Sequence, residues 1–361
     1  MNLHLVGGFL GSGKTTAIIG AARLLITQGK RVGVITNDQG KYLVDTAFFK
    51  YSDVPVVEVT GGCFCCNYEV LETRLNDLVE MVHPDIIFAE SVGSCADIVA
   101  TVLKPLLQLR NTPLGFTSLS VFSDARLFRT RLLHQDLPFS EDVVYIFDKQ
   151  IEEAGIIVIN KVDLLSESRR QEVKSLAQKH YPDKQILMQN SLDESNLNQW
   201  VWQLERESIG SPLKSLEIDY DRYGAGESHL AWLDKQIVLE VSPGEGRRMV
   251  INLVQAIITM IRDQRINIGH IKFFIRGNGE EVKISFSTFI EDNWEEKIPL
   301  FLNTHNIEVL INGRVETEAS IFFELIQAVI LEKSISNGVK ITDLESASFH
   351  PKHPRPTYRI Q

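Results

Sequence analysis

Three short runs of residues carry the types and spacings that do chemistry. In Gly8-Phe9-Leu10-Gly11-Ser12-Gly13-Lys14-Thr15, small residues precede a lysine and a hydroxyl, so the backbone of Gly8, Gly11, Ser12 and Gly13 can turn its N–H groups around phosphate oxygens. Lys14 then reaches the β- and γ-phosphates, and the Thr15 hydroxyl ligates Mg²⁺. The N-terminus of the next helix adds a positive dipole end. Thr16 either offers a hydroxyl to the α-phosphate or is an ordinary first-turn residue. Further on, Asn160-Lys161-Val162-Asp163 follows an apolar run. A carboxylate at Asp163 can accept both N–H donors on one edge of guanine, whereas adenine would leave it unpaired, which favours GTP over ATP. Asn190-Ser191 either closes over the base or caps a helix.

The third run is Cys63-Phe64-Cys65-Cys66, after Gly61-Gly62. Thiolates at Cys63, Cys65 and Cys66 suit Zn²⁺, Cu⁺ or another thiophilic ion, and three ligands leave a tetrahedral ion one open position. A structural zinc site closes with four ligands, so an incomplete set fits a metal that is handed on; a redox dithiol and inert buried cysteines are the rival readings. Cys95 is either a fourth ligand or a small core residue. Between these runs, Ile86-Ile87-Phe88-Ala89 ends in Glu90, a carboxylate that can hold Mg²⁺ through water or orient a hydrolytic water, with Gly93 leaving room at the γ-phosphate. Asp38, in Asn37-Asp38-Gln39-Gly40, is the first candidate for a switch residue, although the same residues suit a tight turn. Lys14, Glu90 and Asp38 are therefore the candidate catalytic groups.

These runs need a scaffold that brings them to one edge. Up to about residue 199, apolar runs at 2–6, 31–36, 54–59, 85–89, 117–123, 155–159 and 185–188 alternate with helical periodicity at 14–28, 68–82, 96–109, 142–153 and 167–180. That pattern predicts an α/β fold: a parallel sheet of the phosphate-loop type with helices on both faces. Residues 1–208 are read as this domain, since Glu207-Ser208-Ile209-Gly210-Ser211-Pro212 breaks the pattern. Residues 209–335 are read as a smaller α+β domain, with strands at 236–241 and 307–311, a hairpin of 271–276 with 281–287, and helices at 247–266 and 318–332. Residues 336–361 read as a weakly ordered tail. Lys+Arg total 37 against Asp+Glu 47, a net charge of −10, which argues against nucleic acid or anionic lipid as partners. No apolar run spans the ~20 residues a membrane helix needs, and the apolar run in MNLHLVGGFLGSGK is too short to read as a secretory signal, so a cytoplasmic protein is expected. Four cysteines, three of them clustered, fit a reducing compartment better than a disulfide framework.

The runs GGFLGSGKTT, GGCFCC, IIFAESVG and NKVD, in this order, resemble the CobW-type P-loop GTPases, a metal-chaperone and metallocofactor-assembly family, over the whole first domain. The resemblance implies slow GTP hydrolysis with Mg²⁺, and binding of Zn²⁺ or Co²⁺ at the C-x-C-C motif. It also implies delivery of that ion to a client metalloprotein, with a second copy of the chain as a further candidate partner. The alternative it carries is a GTP-dependent reactivator or assembly factor for a corrinoid or other metallocofactor protein. Residue by residue, it assigns Gly8, Gly11, Gly13, Lys14 and Thr15 to phosphate and Mg²⁺; Cys63, Cys65 and Cys66 to the carried metal; Glu90 to the second acidic motif; and Asn160, Lys161 and Asp163 to guanine. The chain departs from the family in Asn37-Asp38 where Asn-Glu is usual, and in Gly93-Ser94-Cys95-Ala96-Asp97-Ile98, one residue longer than usual and carrying a thiol. Only His350 and His353 stand where some members have His-rich stretches.

Overall fold

The computed structural model describes the chain apart from residues 39, 41–48, 50–52, 111–113, 207–213, 290–292 and 302–303. It divides into two units: Met1–Gln39, Phe49–Gly226 and His353–Gln361 form the first, and Gly40–Phe48 with Glu227–Lys352 the second. The break expected at 207–212 lies outside the described residues, and the first unit continues past it to Gly226. No helix among the described residues is long and apolar enough to cross a membrane.

In the first unit, β1 (Asn2–Gly8), β2 (Val32–Asn37), β3 (Val56–Val59), β4 (Ile86–Glu90), β5 (Thr117–Asp124), β6 (Ile156–Asn160) and β7 (Gln185–Met188) form a sheet in the order β3-β2-β4-β1-β5-β6-β7. Every pair is parallel. The run-like apolar strands of the sequence are thus explained: β4 and β6 are buried along their whole length, as parallel strands covered on both faces must be. Register sets the functional edge. Val6, Glu90 and Thr36 lie level on neighbouring strands, as do Asn37 and Val59, and Asp124 and Asn160. All the motif-bearing loops therefore leave the carboxyl ends of the strands, where ligands of open α/β sheets gather.

The single helix expected over 96–109 is instead a π-helical turn, Val99–Leu103, running into a short α-helix, Lys104–Gln108. Pro105 is the cause. It has no N–H to donate to Thr101, and the preceding Lys104 N–H reaches back to Val99 O, five residues away, which is the π pattern. The helix Ala125–Leu132 was not foreseen; the Asp124 carboxylate caps it by accepting the Arg126 N–H at 2.9 Å. The helix Tyr220–Ser228 includes Gly224 and Gly226, and the buried Tyr223 hydroxyl accepts the Ala96 N–H at 3.1 Å.

The second unit is an antiparallel sheet of β8 (Leu230–Glu240), β9 (Asn267–Gly277), β10 (Glu280–Phe286), β11 (Asn306–Glu316) and β12 (Lys340–Phe349), in the order β10-β9-β11-β8-β12. The helices Gly246–Asp263 and Ala319–Asn337 contribute Val250, Leu253, Ile257, Phe322 and Ile326 to its core. The expected hairpin is present, with Asn278 at φ 49° and Gly279 at φ 82° as the left-handed pair of a tight two-residue turn. The tail reading is corrected: residues 340–349 are the edge strand β12, and 353–361 pack within the first unit.

Candidate functional site

The phosphate loop is built as the sequence requires. Gly8, Gly11 and Gly13 have φ of 123°, 71° and 91°, a region other residues enter only with strain. A Cβ at Gly8 would lie 2.1 Å from Phe122 O, and one at Gly13 2.4 Å from Asn160 Nδ2. The bare backbone is therefore obligatory, and with it a cradle that phosphate oxygens fit. Lys14 opens the helix Lys14–Thr27, and its Nζ donates to Gly8 O at 2.7 Å and Phe9 O at 3.3 Å, arching over the loop. The Thr15 hydroxyl donates to Glu90 Oε1 at 2.8 Å. Both side chains are buried, so the end of β4 and the start of this helix place a hydroxyl and a carboxylate together, the donor set Mg²⁺ takes. Thr16 lies on the next position of the helix.

The guanine motif divides. Asn160 does not face outward: its Nδ2 donates to Ser12 O at 2.8 Å, and its Oδ1 accepts the Ser191 N–H at 3.1 Å and hydroxyl at 2.8 Å. It braces the phosphate loop against the loop after β7. Ser191 thus serves the brace, and the cap of the helix Glu194–Leu204 falls to Asp193, which accepts the Asn196 N–H at 3.1 Å. Lys161 takes φ 61° and sits 3.3 Å from Asp124. Burial raises the Asp124 carboxyl, but Arg126 and Lys161 outweigh it and hold it below its ordinary value. Asp163 is exposed in the turn Val162–Leu164, a carboxylate open to a ligand's N–H groups. Arg170 holds that turn through Val162 O at 2.7 Å and Leu165 O at 3.0 Å.

The cysteine loop closes on itself. Cys66 and Asn67 N–H groups donate to Cys63 O at 3.1 and 3.0 Å, and the helix Tyr68–Val82 begins immediately after. The Sγ–Sγ distances are 2.9 Å for Cys63–Cys65, 3.3 Å for Cys63–Cys66 and 3.7 Å for Cys65–Cys66. These are free thiols, well beyond the ~2.05 Å of a disulfide bond. Among the described residues they form the one group of three or more His, Cys, Asp or Glu ligand atoms within 4.8 Å of one another. Cys63 and Cys65 are buried, and Cys66 is half-buried. Hydrogen bonds with Cys65, Cys66 and Cys95 pull the Cys63 thiol well below its ordinary value. Those same bonds to Cys63 push Cys65 well up and Cys66 up to about 11. Of the three, Cys63 is therefore the thiol most readily ionised. Cys95, buried, touches Cys63 but stands outside the compact trio.

Two supports escaped sequence reasoning. Asn37, read only as a neighbour of Asp38, clamps the cysteine loop: its Nδ2 donates to Gly62 O at 2.8 Å and Val59 O at 3.1 Å, and its Oδ1 accepts the Phe64 N–H at 2.9 Å. Its place at the carboxyl end of β2, level with the strand leading to Gly61, was the available signal. Gln150 donates to Gly93 O at 3.0 Å and Cys95 O at 2.9 Å, fixing the loop after Glu90, and nothing local announces it. Asp38 is half-buried and continues the ladder, its N–H donating to Val59 O at 3.2 Å. The two histidines do not join the thiols: His350 Nε2 accepts the Ala319 N–H at 3.0 Å in the second unit, and His353 contacts Pro354 O and Asp221.

The family described as CobW/HypB/UreG, nucleotide-binding domain, matches residues 2–188. The zinc chaperone YeiR of Escherichia coli is 31% identical over 193 residues, covering 51% of this chain and 53% of that protein. The zinc chaperone CobW of a Sinorhizobium species is 28% identical over 184 residues, covering 45% and 51%. The chain thus spans about half the length of these relatives. Among solved structures, HypB from Helicobacter pylori in complex with nickel is similar at 19% identity and a TM-score of 0.42, covering 61% of this chain and 92% of that one.

Proposed function

The chain belongs to the CobW/HypB/UreG family of nucleotide-binding proteins, and on that premise we propose that it is a GTP-hydrolysing metallochaperone that carries Zn²⁺ or Co²⁺ on Cys63, Cys65 and Cys66 and yields it to a client metalloprotein. The observation that carries this reading is the trio of thiols within 4.8 Å of one another, clamped by the residue next to Asp38 on the sheet edge that bears the phosphate loop.

In this reading the phosphate-loop N–H groups and Lys14 bind the triphosphate, while Asp163 and Lys161 choose guanine. Thr15 and Glu90 would hold Mg²⁺, which supplies charge neutralisation at the β- and γ-oxygens. Turnover by the chain alone is slow, because no arginine in a switch position is identifiable to neutralise the transition state. Asp38 follows Asn37, so a rearrangement of Asp38 on nucleotide exchange pulls on the side chain that fixes Gly62 and Phe64, and so on the geometry of the thiols.

A nucleotide switches a metal site only if the ion binds its two states unequally. Anaerobic zinc titration of the GDP form and of a form held with a non-hydrolysable GTP analogue is expected to give different affinities. Equal affinities end the switching reading, and absence of zinc binding in both ends the carrier reading. Stoichiometric transfer to an apo client separates delivery from assembly or reactivation of a metallocofactor protein.

A further inference from the structure

The thiol trio is not the whole of the metal site's wall. Residues 353–361, read from sequence as loose tail, lie in the first unit and run along the cysteine loop. The Thr357 N–H donates to Cys65 O at 2.9 Å, and its hydroxyl to Cys66 O at 3.4 Å. The Tyr358 ring meets Tyr68, the residue that opens the following helix, edge-on at 5.1 Å. The Arg355 main-chain N–H donates to Cys66 Sγ at 3.2 Å. Cys66 is the half-buried member of the trio, so this segment reaches the sulfur that an incoming or departing ion meets first.

The segment is tied down at its far end to the loop that follows Glu90. Arg359 Nε donates to Asp97 Oδ2 at 2.8 Å and its Nη2 to Leu216 O at 2.6 Å. The Ile360 N–H donates to Ala100 O at 2.8 Å. Asp97 is fully buried, takes φ 61° and also accepts the Tyr220 hydroxyl at 2.8 Å. A buried carboxylate in the left-handed region is held there by its partners, since the backbone conformation itself costs about 1 kcal/mol or more. One end of the segment therefore rests on a thiol. The other rests on the loop leading from the carboxylate that bonds Thr15.

We propose that residues 353–361 are a strap belonging to the metal site, in which the Arg355 main-chain N–H is the positioning donor that holds and stabilises the Cys66 thiolate against the bound ion. The inference rests on the metal-carrier reading and deepens it. An N–H donor on a ligating sulfur orients the ligand and spreads its charge, and loss of such outer partners costs about 10- to 100-fold in metal affinity. Because Asp97 anchors the strap, a shift of the loop after Glu90 loosens the grip on the Cys66 thiol. The ion then passes to a two-thiolate state from which a client can take it.

Proline separates the donor from its side chain. Arg355→Ala keeps the N–H, and Arg355→Pro removes it between two residues, Pro354 and Pro356, that already favour an extended backbone. Zinc affinity is measured anaerobically on the full chain in the GDP form by competition with a chromophoric chelator, alongside GDP affinity and circular dichroism. Arg355→Ala is expected within about twofold of the original chain, and Arg355→Pro about 10- to 100-fold weaker. Arg359→Ala, which frees the strap at its anchor and touches no thiol, is expected to speed zinc loss to the chelator severalfold. Equal zinc affinity and release in all three variants overturns the strap while leaving the carrier reading intact. A chain that binds no zinc before any substitution overturns the carrier reading itself. A deficit shared equally by Arg355→Ala and Arg355→Pro also overturns the proposal, because it assigns the effect to the side chain.

Discussion

Buried polar groups in the two units occupy different places and answer to different partners. In the first unit those around the candidate site sit at strand ends: Glu90 with Thr15, Asn160 with Ser12 and Ser191, Asn37 with the cysteine loop. In the second they sit in mid-sheet. Asp234 on β8 accepts from Arg314 on β11 at 3.0 Å and from Asn312, while the Arg314 guanidinium lies 3.9 Å from the Trp232 ring centroid. Lys235, fully buried on β8, pairs with Asp343 and Ser346 on β12. Strand-end groups bond to the loops that carry the motifs; mid-strand groups are enclosed by the ladder and fix which strands pair. The comparison teaches that buried polar groups shape the loops of the candidate site in one unit and fix strand pairing in the other.

The sharpest test of that contrast is a first-unit group that serves neither purpose. Glu153, fully buried, accepts the Val99 N–H at 2.5 Å, and burial pushes its carboxyl from 4.5 up to about 8. An acid whose folded pKa lies above its unfolded one binds more protons when folded, so stability falls as pH rises from 4.5 to about 8. The loss is about 4 kcal/mol at pH 8. Glu153→Gln, which keeps the acceptor and cannot ionise, is expected to flatten this dependence. Urea midpoints at pH 5.5 and 8 check it; an unchanged slope in the variant refutes the assignment.

Next in size is Arg314→Ala, which removes the buried Arg314–Asp234 pair and is expected to destabilise the second unit by about 3–5 kcal/mol. GDP affinity should hold within about twofold if the two units divide labour as described. Calorimetry with a parallel nucleotide titration reads both, and a large loss of nucleotide binding breaks the contrast. Lys14→Ala is the converse. Loss of the phosphate clamp is expected to lower GTP turnover about 10²- to 10³-fold, with the melting temperature little changed. Turnover that survives this substitution places hydrolysis elsewhere.

The contrast also explains what sequence could and could not show. Strand-end chemistry is local: glycines, Lys14 and Thr15 are contiguous, and so are the cysteines, so spacing alone reveals them. The parallel strands are apolar runs, and the Asn278-Gly279 hairpin carries its own turn chemistry. What was lost is what depends on distant partners. β12 reads Lys-Ile-Thr-Asp-Leu-Glu-Ser-Ala-Ser-Phe, with most positions exposed or half-buried; an edge strand with neither face fully covered has no strong period to detect. The segment 353–361 carries two prolines and two arginines, and it is ordered by contacts with residues distant in sequence, among them Cys65, Cys66, Tyr68, Asp97, Ala100 and Leu216. The bonds of the Asn160 amide to Ser12 and Ser191 are a role visible only once β6 lies beside the phosphate loop and the loop after β7. The π turn at Val99–Leu103 was readable in principle from Pro105.

The smallest expected effect probes the point where strand-end chemistry and loop geometry meet. Asn37 makes three hydrogen bonds to the stretch around the cysteines, and two of the groups it satisfies, Gly62 O and the Phe64 N–H, frame Cys63 directly. Asn37→Ala leaves them without that partner, at about 1–3 kcal/mol, and frees the loop that sets the thiol spacing. Zinc affinity is expected to fall about tenfold, in line with loss of a supporting partner, while GDP affinity stays, because the phosphate loop is braced separately by Asn160. Asn37→Asp should do no better, since a carboxylate accepts from Phe64 but faces Gly62 O and Val59 O with no donor to offer. A chelator competition on both variants decides. If zinc is held as tightly as before, the cysteine loop keeps its shape without β2, and the path by which Asp38 would reach the metal is gone.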